Sequence, residues 1–320
     1  MTFINNKEIS FVVQGPIVGD KITYKTCSSI RKYFPNSKII LSSWAQSNTK
    51  YIDYDILVLS KDPGAEFNYY TDREIKNNIN RMLISTINGL NKVNTKYAVK
   101  IRSDIFFESN KLLFLLKKIK KNSNDIFSKS KIIIPSNLTV NPSRVTKMAL
   151  HPSDFFFAGY TKDLIDMFSI KLMRKDEMTW FLNNKMPPGS DYPTLIPRFS
   201  NEQFLFYSFL KKKIDFKFEN AFQINDEIIN IHNDVFQKIF LLYHSKKIGI
   251  NCYKYPLSRF SSIKHAYTEY EFKNINSKKI LLLDFERIFS LLIDMIKKFT
   301  KLLSPKFFLL IRSFIVKKFH

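Results

Sequence analysis

The chain has 320 residues and a net charge of +23, with 51 Lys and Arg against 28 Asp and Glu. Its 45% hydrophobic and 25% charged residues are typical of a folded globular protein and not of a disordered one. Seven glycines exclude a multi-glycine phosphate-binding loop, and two cysteines exclude a disulfide framework or a cysteine-built metal cluster. The charge favours an anionic partner, but a merely lysine-rich composition gives the same value, so charge alone selects no partner.

Short β-type segments alternate with helical patterns over the first 160 residues. Strands are predicted at 8–14, 38–42, 55–59, 96–102, 132–135 and 155–159, and a helix at 21–33. A second helix is predicted from Ile75 to Leu90, where apolar residues recur at spacings of three and four. This alternation predicts an α/β fold with a mostly parallel central sheet flanked by helices.

The second half of the chain is less regular. Turn residues predict a loop over 186–193, and a helix follows to about residue 212, with Ser200 or Asn201 as its cap. From residue 278 to 320 the chain carries ten Lys and Arg and three Asp and Glu, a net charge of +7. We therefore expect a catalytic domain over 1–277 and a basic amphipathic helical tail over 278–320.

The pattern of the tail predicts that the protein associates with a membrane surface. Basic amphipathic helices lie in the membrane interface, so the tail is interpreted as an anchor on anionic lipid, with a packed helix or a dimer contact as the alternatives. The sequence contains no run of about 18 apolar residues and no signal-peptide core. We expect a cytoplasmic protein, peripheral on the inner face of the cytoplasmic membrane.

Polar residues follow three of the predicted strands directly. Gln14, Gly15 and Pro16 end the first, Asp62 follows the third, and the Arg102–Asp104 segment ends the fourth. Because ligands of parallel sheets bind beyond the carboxyl ends of the strands, we expect these segments to converge on one site.

The residue types at this edge indicate the kind of ligand. The carboxylate of Asp104 can hold Mn²⁺ or Mg²⁺, which then bridges a diphosphate, or it can cap the helix near Asn110. Arg81 and Arg102 match phosphate oxygens bidentately, although Arg81 on a solvated helix face is the alternative interpretation. Gln14 and Asp62 can bond to the base or ribose of a nucleotide, or simply form turns.

Two carboxylates are candidates for a general base. A hydroxyl acceptor needs a nearby carboxylate to take its proton, and Glu202 and Asp154 suit that role. Glu202 can equally serve the dipole of its helix, and Asp154 can belong to a turn that enters a strand. His232 is an isolated histidine after an Ile-rich segment, and a metal-ligand role is the weaker interpretation of it.

Other chemistries lack their motifs. The sequence has no P-loop, no nucleophile-elbow serine motif and no paired Cys/His cluster. No nucleic-acid recognition motif is present, and we expect no nucleic-acid partner. A nucleotidyltransferase that makes an activated sugar, and a non-catalytic basic module on membrane or nucleic acid, are the alternatives to a sugar transferase.

An ordered series of segments resembles the WavE-type lipopolysaccharide-synthesis family over about residues 8–210. These segments are 9–16, 26–36, 39–44, 62–64, 78–81, 84–86, 89–90, 97–104, 151–156 and 201–203. The resemblance implies a GT-A-like glycosyltransferase, of hexosyltransferase type, that acts in bacterial surface-polysaccharide assembly. Its implied partners are a nucleotide-sugar donor and a lipid-linked glycan acceptor.

The resemblance also implies roles for individual positions. Gln14, Gly15, Pro16 and Asp62 would face the nucleoside, and Arg81 would approach the donor diphosphate. The segment from Arg102 to Asp104 takes the place of the Asp-x-Asp metal motif of GT-A enzymes, but its first residue is arginine. One carboxylate holds a metal less firmly than two, so a Mn²⁺ or Mg²⁺ cofactor is possible and the incomplete motif leaves it open.

Overall fold

A computed structural model describes residues 4–70, 73–120, 125–187, 195–254, 257 and 265–276. The chain divides into two units, Met1–Asn276 and Ser277–His320. The predicted tail over 278–320 and most of the predicted loop over 186–193 lie outside the described residues, so the domain boundary and the membrane role of the tail stay predictions.

Eleven strands are present in the described part of the chain. They are β1 (Ile9–Gln14), β2 (Lys38–Trp44), β3 (Ile56–Ser60), β4 (Glu66–Tyr70), β5 (Arg73–Asn77), β6 (Tyr97–Arg102), β7 (Ile105–Phe107), β8 (Ile132–Pro135), β9 (Phe156–Tyr160), β10 (Phe240–Tyr243) and β11 (Ile250–Cys252). Seven of them form the central sheet in the order β10-β8-β9-β6-β1-β2-β3.

The central sheet is mostly parallel. β1 lies parallel to β2 and β6, β2 to β3, and β10 to β8, whereas β9 runs antiparallel to both of its neighbours. Every residue of β1 is buried, as expected for an inner strand that helices cover on both faces. The predicted α/β class with a mostly parallel sheet is confirmed.

Helices cover both faces of this sheet. They are α1 (Gly19–Tyr33), α2 (Ile79–Leu90), α3 (Leu112–Leu116), α4 (Thr161–Phe168), α5 (Lys175–Met178), α6 (Trp180–Asn183), α7 (Asn201–Leu210), α8 (Asp226–Ile239), α9 (Ser245–Ile248) and α10 (Glu269–Lys273). One core packs α1 against Phe11 and Val13 of β1. The other packs α2, α4, α7 and α8 against the face that carries Val12.

The contact between α2 and the sheet is unusually close. A Cβ atom added at Gly89 would lie 2.4 Å from Cγ1 of Val12 and 3.0 Å from Cβ of Ser42. The hydroxyl of Ser42 donates to the backbone oxygen of Ser85 at 2.7 Å. Glycine at position 89 therefore lets α2 rest directly on β1 and β2.

One predicted boundary is wrong. Ile75 lies in β5, which pairs antiparallel with β4, and α2 begins only at Ile79. The side chain of Asn77 accepts a hydrogen bond from the Ile79 amide at 2.9 Å, so the chain turns there before the helix begins. Ile75 matches the helical spacing only by coincidence, because it lies in a strand four residues before Ile79, the first residue of the helix.

Candidate active site

The carboxyl ends of β1 and β6 are joined at the top of the sheet. Gln14 and Arg102 are register partners. The amide of Ser103 donates to the backbone oxygen of Gln14 at 3.0 Å, and its hydroxyl donates to that of Pro16 at 2.6 Å. Gly15 has a φ of 112°, which favours glycine and turns the chain away from β1. Two of the three predicted strand-end segments therefore meet.

Gln14 connects this edge to α2. Its buried side chain accepts a hydrogen bond through Oε1 from the hydroxyl of Ser85 at 2.8 Å. The same hydroxyl lies 2.8 Å from the backbone oxygen of Arg81, one helical turn earlier. Gln14 and Arg81 consequently belong to one neighbourhood, as the sequence predicts.

Arg81 and Asp62 bind each other. The Arg81 Nε donates to Asp62 Oδ1 at 2.7 Å, and its Nη2 pairs with Asp62 Oδ2. The guanidinium of Arg81 lies 5.7 Å from the centre of the Trp44 ring. Arg81 holds the pKa of Asp62 below its usual value. Asp62 also accepts from the amide of Gly64 at 2.9 Å, which forms the turn. Arg81 is thus not a freely solvated helix residue, and the pair, about a quarter exposed, lies at the surface of the site.

Arg102 and Asp104 form a second bidentate pair. The two bonds are 3.0 Å from Nε to Oδ1 and 2.5 Å from Nη2 to Oδ2, and the guanidinium lies 5.0 Å from the centre of the Phe155 ring. Asp104 is buried, and it is not a helix cap, because Lys111 is the N-cap of α3. The acid predicted to bind a metal instead holds the arginine that replaces the first acid of the motif.

The donors around Asp104 do not fit a divalent cation. Both carboxylate oxygens accept from Arg102, so a cation would have to displace a guanidinium and repel its charge. Within the described residues, no group of three or more His, Cys, Asp or Glu side chains could hold a metal ion. The residues present therefore disagree with a Mn²⁺ or Mg²⁺ site at Asp104.

Glu202 lies in the first turn of α7, beside His151. The hydroxyl of Ser200 caps this helix by accepting from the Gln203 amide at 3.2 Å, which confirms the predicted helix start. His151 Nε2 lies 3.5 Å from Glu202 Oε2. Burial raises the pKa of Glu202, the charge of Asp154 raises it further, and His151 opposes both. The two predicted bases are therefore close enough for the charge of Asp154 to act on Glu202.

Sequence reasoning missed a buried cation beneath this cluster. Lys100 of β6 is fully buried, and its Nζ donates to the backbone oxygen of Asp154. Burial lowers the pKa of Lys100 to about 8, and the charge of Asp154 is the strongest influence that opposes this shift. The sequence does not distinguish a buried from an exposed Lys100, because this residue lies between Val99 and Ile101 and on the same side of the strand as Arg102.

His232 supports the 151–154 segment from behind. Its Nδ1 accepts from the amide of Leu150 at 3.0 Å, and its Nε2 lies 2.9 Å from the hydroxyl of Tyr267. Burial lowers the pKa of His232 to about 3, so the ring is neutral at physiological pH. Both nitrogens are occupied, and the metal-ligand interpretation of His232 finds no support.

The family model for WavE lipopolysaccharide synthesis matches residues 9–304. The chain belongs to the WavE lipopolysaccharide-synthesis family. The resemblance that the motifs indicated is thereby confirmed, and the match includes every strand-end segment and both carboxylates of this site. Membership places the chain in a family of lipopolysaccharide synthesis.

Other similarities of the chain are distant. No curated protein matches its sequence. S. aureus TarS matches in structure with a TM-score of 0.35 and 11% identity over 75% of this chain, which spans only 41% of the TarS chain. 4-Diphosphocytidyl-2C-methyl-D-erythritol synthase from Anaerococcus prevotii DSM 20548 matches with a TM-score of 0.31 and 13% identity, over 66% of this chain and 98% of its own. Similarities at this level do not identify a function for the chain.

No helix in the described part of the chain combines the length and the apolar character needed to cross a bilayer.

Proposed function

We propose that the protein is a glycosyltransferase that moves a sugar, a hexose by the family resemblance, from a nucleotide-sugar donor to a lipid-linked glycan. The observation that carries this proposal is the contact between the strand ends and α2. Gln14 is the register partner of Arg102, and it accepts from the Ser85 hydroxyl, which also bonds to the backbone oxygen of Arg81. Family membership supports a place in lipopolysaccharide or related surface-polysaccharide synthesis.

The arginines suit the diphosphate of the donor. Arg81 and Arg102 are each about a quarter exposed, and each is oriented by a carboxylate. A guanidinium binds two phosphate oxygens in one plane, and a held guanidinium loses little entropy when it does so. The bond from the anomeric carbon to the diphosphate oxygen breaks, and its electron pair stays on the diphosphate. Fixed positive charge there stabilises the leaving group without a cation.

Gln14, Gly15 and Pro16 provide the nucleoside side of the donor site in this proposal. The positive φ of Gly15, 112°, forms the turn after β1, and a Cβ atom added there would lie 3.5 Å from the Ser103 hydroxyl, an ordinary contact. Asp62 orients Arg81 and is available at the same rim for a ribose hydroxyl.

Glu202 is the proposed general base, with Asp154 as the second candidate. The acceptor hydroxyl attacks the anomeric carbon, and its proton passes to a carboxylate oxygen of Glu202. A carboxylate whose pKa is raised by burial accepts that proton more readily than an exposed one. The proposed tail over 278–320 would keep the enzyme at the inner face of the membrane, where a lipid-linked acceptor is found.

The test is release of nucleoside diphosphate by the full-length protein from a panel of nucleotide sugars. We expect one donor to be turned over and the E202Q variant to lose at least about tenfold in rate. The E227Q variant is the matched control, because exposed Glu227 is the second residue of α8 as Glu202 is of α7.

Absence of binding and turnover across the panel, or full activity of E202Q, contradicts the proposal. Release of pyrophosphate from a nucleoside triphosphate and a sugar phosphate would instead identify a nucleotidyltransferase.

A further inference from the structure

His151 contacts the proposed base through one of its two ring nitrogens. Its Nε2 lies 3.5 Å from Oε2 of Glu202, whereas its Nδ1 is buried and has no hydrogen-bond partner within the described part of the chain. An ionised carboxylate can only accept a hydrogen bond, so the hydrogen in this contact belongs to Nε2. A hydrogen on Nδ1 instead would be a buried donor without an acceptor among these residues.

The two side chains of this contact differ in their exposure to solvent. The side chain of Glu202 is 20% exposed, and that of His151 is 12% exposed. Glu202 is thus the more accessible member of the pair, which suits it to touch an acceptor hydroxyl. The position of His151, with its Nδ1 buried, suits it to support the carboxylate.

Backbone contacts fix the segment that carries His151 against the helix that carries Glu202. Gln203, the next residue of α7, is fully buried and donates through its Nε2 to the backbone oxygen of Ala149 at 2.7 Å. The backbone oxygen of His151 accepts from the amide of Val140 at 3.0 Å. The relative position of the two side chains is therefore held by bonds other than their own contact.

The residue before His151 has an unusual backbone conformation. Leu150 has a φ of 57°, in the left-handed region that leucine rarely adopts. Its side chain is fully buried, and its amide donates to Nδ1 of His232 at 3.0 Å. Strained residues of this kind persist only where the surrounding contacts determine them, and they cluster at functional sites. A positioning role for the ring that follows directly accounts for the strain.

We propose that His151 is a positioning residue that orients the carboxylate of Glu202 by donating a hydrogen bond from Nε2. The catalytic meaning of this inference rests on the proposed function, in which Glu202 takes the acceptor proton, but the hydrogen bond itself does not. The other titratable or charged groups near the pair are Asp154, Lys100, His232 and the cap hydroxyl of Ser200. Asp166 of α4, the helix packed on α7, is paired with Lys212 and Lys213.

Loss of this hydrogen bond has a defined effect on Glu202. Burial raises the pKa of Glu202, and His151 is the strongest influence that opposes this shift. A hydrogen bond to the ionised form of a carboxyl group favours that form, so the pKa rises further when the donor is removed. Glu202 then stays protonated to a higher pH, and the acidic limb of the rate profile moves upward. The KM for the donor changes little, since other residues form the donor side of the proposed site.

Two substitutions distinguish the two ring nitrogens. The amide nitrogen of glutamine reaches about as far as Nε2, and that of asparagine only about as far as Nδ1, so H151Q keeps a donor for Glu202 and H151N does not. H244N is the matched control, because His244 is a half-buried histidine that caps α9, and asparagine is an equally good cap. We expect H151N to lose about tenfold or more in kcat, H151Q to keep most of the activity, and H244N to match the wild type. Equal losses in H151N and H151Q contradict a role for Nε2.

Two readouts without donor distinguish this inference from the proposed function. In ¹⁵N spectra of labelled histidine, the wild-type signal that is lost in H151Q or H151N should show the hydrogen on Nε2. In carboxyl ¹³C titrations of labelled glutamate, the signal that is lost in E202Q should have a higher midpoint in H151N than in the wild type and H244N, with a smaller rise in H151Q.

These results support the inference even if no nucleotide sugar is turned over. A neutral His151 ring with its hydrogen on Nδ1, or an unchanged midpoint of Glu202 in H151N, overturns it, whatever the activity. If H151N does not fold, the position of the hydrogen in the wild type, assigned with H151Q, decides the question.

Discussion

Replacing Gly89 by alanine tests the close packing that places α2 on the sheet. The added methyl would lie 2.4 Å from Cγ1 of Val12, and Val12 is fully buried in the inner strand β1. A relaxed contact needs about 1 Å or more of movement, and the branched side chain of valine has few other rotamers. Either Val12 or the end of α2 must shift.

The magnitude follows from two opposing effects. Overpacking of this kind costs about 1–3 kcal/mol, and so short a contact belongs at the upper end. Alanine gains up to about 1 kcal/mol over glycine in a helix interior. The net destabilisation is about 2 kcal/mol, which lowers the melting temperature by about 3–4 °C for a domain of this size.

Thermal unfolding followed by circular dichroism measures the change, and G159A is the matched control. Gly159 is also buried in the sheet region, but its added Cβ would lie 3.5 Å from the nearest atom, an ordinary contact. We expect G159A to stay within about 0.5 kcal/mol of the wild type. Because Ser85 and Arg81 lie on the displaced helix, G89A should also raise KM for the donor. A G89A protein that melts at or above the wild-type temperature refutes this account of the packing.

Three further predictions concern the site and its support. His232 is neutral in the folded state and titrates near 6.5 when unfolded, so the unfolded state binds the extra proton and stability falls as pH drops from about 6.5 towards 3. Urea unfolding should give a free energy of unfolding about 2 kcal/mol lower at pH 5 than at pH 7.5 because of this group, and H232F should lack this loss. An equal loss in the wild type and in H232F would contradict the prediction. D104N should release Arg102 and lower the rate of donor turnover about tenfold, whereas EDTA should leave the rate of the wild type unchanged. A rate that falls with EDTA and recovers when Mn²⁺ is added would support a metal site instead. R81M should raise the KM for the donor about tenfold, because it removes the phosphate ligand, and D62N should raise it less, because the guanidinium of Arg81 remains. A KM of R81M equal to that of the wild type would exclude Arg81 from the donor site.

The sequence could predict that the strand ends lie close together, because this follows from the topology of a parallel sheet. Parallel strands share one carboxyl edge, so Gln14 and Arg102 had to be neighbours once β1 and β6 were adjacent. The partners of Arg81 and Asp104 could not be predicted in this way. A carboxylate that can bind a metal can equally bind an arginine, and only the three-dimensional contacts distinguish the two.

The wrong prediction at Ile75 and the unpredicted burial of Lys100 also arise from long-range contacts. Ile75 matched a helical spacing, but long-range pairing with β4 placed it in a strand. Lys100 passed unnoticed because alternation in a strand does not say whether a lysine faces water or a second packed layer. Here α4 covers that face of β6 through Phe168, and the lysine is buried.

The proposed function requires the strand-end cluster to bind the donor diphosphate. A crystal structure of the full chain grown with uridine, guanosine or cytidine diphosphate would show whether it does. We expect a diphosphate within hydrogen-bond distance of Arg81 or Arg102, with the nucleoside beside Gln14. A nucleotide bound elsewhere, with both arginines still paired only to Asp62 and Asp104, would contradict it.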